Sequence, residues 1–217
     1  MNSNFNQKLK LYIKNHPVTS SILIINFVMT IILLFSGGFG TPNLVRWGAL
    51  FSPYVFDGNE YYRIITSMFL HGSILHFLSN SIVLYFIGAF LERLIGPYKY
   101  LFVYFLSGII SGIFVLLFSD YLSVTIGASG AIFGVIGGLL MLTLLRRSWF
   151  TLQAVKSIRQ LIIVNVIITF LIPNISIPGH LGGLLAGVIL FFIITPKYPY
   201  YLKYRMHQDE DNHIYQV

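Results

Sequence analysis

The sequence predicts an all-α polytopic membrane protein of six transmembrane helices, with a long interfacial loop between the first and the second. Two observations carry this reading. Charged residues make up 10% of the 217, where a soluble domain has about 25%, while apolar residues make up 56% and the mean hydropathy is +0.77. The charges are also segregated: residues 17–45, 64–91, 100–119, 121–145 and 160–196 contain no Asp, Glu, Lys or Arg. Each stretch can hold a spanning helix, which takes roughly 20 residues. The last is interrupted by Pro173, Asn174, Pro178 and Gly179, so it reads as two spans joined by a tight turn.

The elements follow in order. Residues 1–16 form a polar tail with Lys8, Lys10 and Lys14, and no small-residue cleavage site follows it, so span 1 is expected to be a retained signal anchor. The connection over residues 38–68 carries Trp47, Phe51, Tyr54, Phe56, Tyr61 and Tyr62 among Pro and Gly, amphipathic rings that favour the headgroup region. Spans 2 to 6 complete a membrane domain over residues 17–196. A tail, 197–217, ends in a solvated segment with Asp209, Glu210 and Asp211. Every Lys and Arg except Arg46 and Arg63 falls on one side of a six-span chain. By the positive-inside rule both termini are cytoplasmic, in a multi-pass protein of the cell membrane.

Several function classes drop out. With no cysteine there is no disulfide scaffold, thiolate nucleophile or Cys-built metal site. The net charge of +7 is accounted for by membrane topology, so no nucleic-acid partner is implied. His71 and His76 do not share a helical face and no HExxH pattern occurs, so no metal is expected; a phosphate loop and a GxSxG elbow are absent as well, and no cofactor is implied. A transporter would need a polar path continuing to the inner face, which spans 4 and 6 lack below their glycines.

Four polar residues stand out against this apolar background: Ser129 in Gly127-Ala128-Ser129-Gly130, His180 in Gly179-His180-Leu181-Gly182, and His76 with Asn80 one helical turn apart. A hydroxyl, imidazole or amide in hydrocarbon costs free energy unless partnered, and their simplest joint explanation is that they partner one another. Spans 2, 4 and 6 all begin outside, which puts the four in one layer beneath the outer surface. Gly130, Gly134 and Gly138 in span 4, with Gly183 and Gly187 in span 6, allow close helix approach, so that Ser129 and His180 are expected to hydrogen-bond across the interface. A neutral imidazole would activate the serine, and His76, Asn80 and backbone amides near Ala128 and Ser129 would supply donors for an oxyanion. No Asp or Glu lies in spans 4 to 6 to orient His180, so the expectation is a Ser/His dyad. Taken singly, such a serine is more often a packing residue, and such a histidine as often a proton-relay group.

Together, the Gly127–Gly130 segment, His71-Gly72-Ser73-Ile74-Leu75-His76 with Asn80, and His180-Leu181-Gly182-Gly183 with Gly187 resemble the rhomboid family of intramembrane serine proteases. The similarity extends over about residues 43–190 and takes in Gly48-Ala49-Leu50, Tyr62-Arg63 and Leu91-Glu92 to Gly96. The resemblance implies a six-helix rhomboid-like bundle, Ser129 as nucleophile, His180 as general base, and an oxyanion hole of His76, Asn80 and the backbone at Ala128 and Ser129, with Gly127 shaping that loop. It implies structural roles for Arg63 and Glu92. Tyr62 replaces a common tryptophan, and Phe133 a tyrosine that some members place against the histidine. Transmembrane protein substrates, cleaved within the bilayer toward the extracytoplasmic side, are the implied partners. The alternative is a catalytically inactive relative that binds or escorts membrane helices.

Overall fold

The computed structural model describes residues 2–173 and 175–202. Among these, five helices are long and apolar enough to cross a membrane: α2 (Pro17–Phe35), the continuous helix Ile74–Ile95, α8 (Pro97–Phe118), α10 (Leu152–Leu171) and α11 (Ile177–Ile194). The second comprises α6 (Ile74–Val83), a π-helical turn at Leu84–Gly88 and α7 (Ala89–Ile95). A further apolar helix, α9 (Ser129–Leu145), has only 17 residues. It is buried on nearly every side, packed between α8 and α11, so it meets protein where the others meet lipid. The chain is thus a multi-pass helical membrane protein.

Close packing at the centre follows from glycine. A Cβ on Gly183 would run into the carbonyl oxygen of Gly130, and one on Gly187 into that of Gly134. The two helix backbones therefore touch along this seam, as small residues at four-residue spacing permit. Gly138 receives the Phe191 ring instead.

The end of the bundle opposite Ser129 is held by charge on helix termini. Glu92 on α7, 1% exposed, accepts the backbone N–H groups of Val18 and Thr19 at 2.9 and 2.8 Å, so its carboxylate caps the unsatisfied donors at the start of α2. At the last residue of α11, Lys99 Nζ donates to Ile194 O at 3.2 Å, and just beyond the helix Arg146 Nε donates to Pro196 O at 2.9 Å.

Several boundaries differ from the sequence expectation. Residues 2–15 are helical (α1, Asn2–Asn15), with Tyr12 stacked on Tyr85. Span 2 starts at Ile74, later than the end of the connection expected over residues 38–68, and the helix of span 4 occupies only Ser129–Leu145 of the uncharged stretch 121–145. α10 begins at Leu152, so Lys156 and Arg159 lie within that helix. The acidic tail residues Asp209, Glu210 and Asp211 lie outside the described residues, as do Asn174, Lys203 and Arg205.

The long first connection is folded. It contains α3 (Thr41–Arg46), β1 (Leu50–Phe51), α4 (Ser52–Phe56), α5 (Arg63–Thr66) and a 3₁₀ turn at Ser67–Phe69. Arg63, 3% exposed, organises it: Nη1 donates to the carbonyls of Val45 and Ala49 at 2.7 and 3.0 Å, while Nε donates to Glu60 at 2.7 Å. Tyr54, Phe56, Tyr61 and Tyr62 remain exposed. β1 pairs antiparallel with β2 (Val124–Thr125), Leu50 opposite Thr125, which ties the loop to the segment leading into α9.

Candidate active site

Ser129 is the first residue of α9, and its approach is set by the segment before it. β2 delivers the chain to Gly127, whose N–H donates to Ser67 O at 2.9 Å and whose φ of +119° is one that side chains rarely tolerate. The position a Cβ would take on Gly127 is 2.9 Å from His76 Nε2 and 3.6 Å from Ser129 Oγ. Gly127 is therefore needed twice, for the turn and to leave room for the imidazole. Ser129 sits at the very start of its helix, directly after the left-handed corner at Gly127.

His76 and Asn80 lie one turn apart on α6. The helix is capped by Ser73, whose Oγ accepts the His76 N–H at 3.1 Å. Gly72 N–H donates to His76 Nδ1 at 3.4 Å, so the ring carries its hydrogen on Nε2, the nitrogen beside Gly127. His71 precedes the helix, buried and edge-on to His76 with centroids 5.1 Å apart. Asn80 is buried, and its Nδ2 has no hydrogen-bond partner among the described residues.

His180 lies in the first turn of α11, where Ser176 caps the helix by accepting Gly179 N–H at 3.2 Å. Its ring, 8% exposed, stacks on Phe133 of α9 with centroids 4.1 Å apart and planes at 20°. The Gly130–Gly183 contact fixes α11 against α9, and Gly179 O lies 3.6 Å from the Cβ position of Gly130. Ser129 and His180 thus occupy the same end of the two most closely packed helices. The expected hydrogen bond between them is not formed among the described residues. His180 Nδ1 instead meets Thr169 Oγ1 of α10 at 2.9 Å. Catalytic hydrogen bonds are often long in the absence of substrate and tighten only in the complex.

Sequence reasoning missed Thr169. The available signal was a polar pair, Asn165 and Thr169, at four-residue spacing in the otherwise apolar stretch 161–171. It also missed Ser67 and the β1–β2 pairing, which hold the Gly127 corner. Among the described residues no cluster of His, Asp and Glu could hold a metal ion.

A family model described as the Rhomboid domain matches residues 58–197. The chain is 35% identical over 170 residues to "Rhomboid protease GluP" of Bacillus subtilis, covering 78% of this chain but only 33% of that protein. It is 33% identical over 194 residues to "Putative rhomboid protease YdcA" of the same organism, covering 88% of this chain and 95% of the relative. A third relative, "Rhomboid-like protease 3" of Toxoplasma gondii, is 34% identical over 172 residues, covering 77% and 64%. With the family match spanning most of the membrane domain, and one relative aligned nearly end to end, this chain belongs to the rhomboid family.

Proposed function

We propose that the chain is an intramembrane serine endopeptidase that cleaves transmembrane protein substrates through Ser129 and His180. The observation that carries this is the corner at Gly127, on which His76 Nε2 and Ser129 converge while the Gly130–Gly183 seam holds the His180 helix alongside. Ser129 Oγ attacks a substrate peptide carbonyl and His180 takes its proton. The oxyanion is met by Nε2–H of His76, by Nδ2–H of Asn80, and by backbone N–H groups at Ala128 and Ser129, with Gly127 shaping that loop. Collapse expels the amine, which takes the proton from His180; water then hydrolyses the acyl-enzyme by the same route. The unpartnered amide of Asn80 supports this reading, since a buried donor without an acceptor is costly unless the reaction supplies one.

The catalytic unit is the membrane domain over residues 17–196, flanked by segments 1–16 and 197–217. The distribution of Lys and Arg supports cytoplasmic termini and a site toward the extracytoplasmic side. A substrate helix must unwind locally before its carbonyl can be attacked, which favours small or helix-breaking residues near its outer end.

The test is labelling of the purified protein by a fluorophosphonate probe, compared with Ser129→Ala. Labelling that Ser129→Ala abolishes is expected; a folded chain that neither labels nor cleaves a reporter transmembrane substrate would be the inactive, helix-binding relative.

A further inference from the structure

Thr169 lies near the outer end of α10 and is 2% exposed. The other buried residues of that helix are Val155, Ile158 and Ile162, all apolar. Its Oγ1 makes two contacts, with Asn165 O at 2.9 Å and with His180 Nδ1 at 2.9 Å. A hydroxyl has one hydrogen and a carbonyl can only accept, so the hydrogen of Thr169 goes to Asn165 O. Oγ1 therefore presents a lone pair to His180, and that contact is a hydrogen bond only when Nδ1 carries a hydrogen. A neutral imidazole has a single N–H, which leaves Nε2 bare and able to accept a proton.

We propose that Thr169 is a positioning residue for the reaction: its hydroxyl, fixed by Asn165 O, holds His180 in the Nδ1–H tautomer whose Nε2 serves as the base toward Ser129. This rests on the assignment of Ser129 and His180 as nucleophile and base. No Asp or Glu occurs within α9, α10 or α11 to do this work. In serine hydrolases with a triad, the third group sets tautomer and ring orientation and its carboxylate also stabilises the imidazolium. A threonine hydroxyl supplies only the first of these. Its removal leaves the ring free to take either tautomer without enforcing the wrong one, so the expected loss, about 10- to 100-fold in kcat, is smaller than the ~10⁴-fold that follows when a triad's histidine is held in the wrong tautomer.

The experiment compares Thr169→Val and Thr169→Ser in the full chain, with a reporter transmembrane substrate. Valine keeps the shape and removes the acceptor; serine keeps the acceptor and loses a methyl. Thr169→Val is expected to lower kcat about 10- to 100-fold with KM nearly unchanged, while Thr169→Ser stays close to the parent. In parallel, ¹⁵N spectra of the ring of His180 in the substrate-free parent should show a protonated Nδ1 and a bare Nε2, a readout that needs no variant to fold. A parent ring with Nδ1 bare would overturn the proposal, as would full activity in Thr169→Val, or equal losses in both variants, which would mark a packing role. Cleavage that persists in Ser129→Ala or His180→Ala would instead sink the assignment of nucleophile and base, whatever Thr169 does.

Discussion

His76 and His180 are the same side chain at the same end of the bundle, and their surroundings treat them oppositely. His76 is held locally: the N–H that fixes its Nδ1 comes from Gly72, four residues earlier on the same segment, and its hydrogen faces the Gly127 corner. His180 is held by other helices, with Phe133 of α9 against its face and Thr169 of α10 against its Nδ1. On the proposed reading one imidazole donates at Nε2 and the other accepts there. A ring whose hydrogen is set by its own turn should tolerate disturbance of the bundle. A ring oriented by three helices should not.

The largest effect breaks the accepting side outright. Replacing His180 or Ser129 by alanine should each reduce cleavage of a reporter substrate by about 10⁴-fold or more, and the double replacement should cost little beyond either alone, since the two act as a unit. A double variant whose loss is the product of the two single losses would show that they do not. On the donating side, Asn80→Ala should lower kcat by about 10² to 10³, and fluorophosphonate labelling should slow in step, because the probe also develops negative charge at the attacked centre. An unchanged rate would remove Asn80 from the site.

Gly183→Ala separates the two sides. The added methyl meets the Gly130 carbonyl, so α11 must move away from α9, at a cost of about 1–3 kcal/mol typical of overpacked contacts. The thermal midpoint should fall, and activity should fall further than unfolding explains, because His180 travels with α11 while His76 does not. A variant with a lowered midpoint but a native kcat for the folded fraction would show that the seam serves stability alone. Phe133→Leu is the gentler form of this test. Loss of a stacked ring, about 0.5–1.5 kcal/mol in comparable aromatic pairs, should cost a few-fold in kcat, and Phe133→Tyr should restore it.

Much of this arrangement was legible in the chain for one physical reason: lipid tolerates few polar groups, so spans appear as uncharged stretches, and Ser129, His180, His76 and Asn80 stand out within them. The same logic explains the errors. Residues 64–73 fold largely against protein and residues 121–128 form the turn and β2 that lead into α9, and hydropathy does not distinguish such uncharged segments from a helix in lipid. The uncharged stretches therefore run longer than the helices α6–α7 and α9 that they contain. β1 and β2, two residues each, are too short for strand alternation to register. Thr169 carried only a weak signal, because a threonine bonded to the carbonyl four residues earlier is ordinary in apolar helices. Only its second contact, to a ring on another helix, sets it apart, and that contact is tertiary.

The mildest perturbation acts on the loop that supports the donating side. The Tyr62 hydroxyl, with Arg63 beside it, holds the Glu60 carboxyl below its ordinary 4.5. The folded loop thus binds this proton more weakly than the unfolded chain does. The contribution is fully present above the ordinary value and is lost as pH falls through the lowered one. Glu60 is partly exposed, so solvent screens the interaction and the effect is small. From neutral pH to about pH 5, hydrogen exchange over residues 45–63 should show no change attributable to Glu60. Below its ordinary range the loop should loosen as Arg63 loses its charged partner. Glu60→Gln should remove that acid-side step while Arg63 keeps the carbonyls of Val45 and Ala49. A step of equal size in Glu60→Gln would assign the acid response to another group.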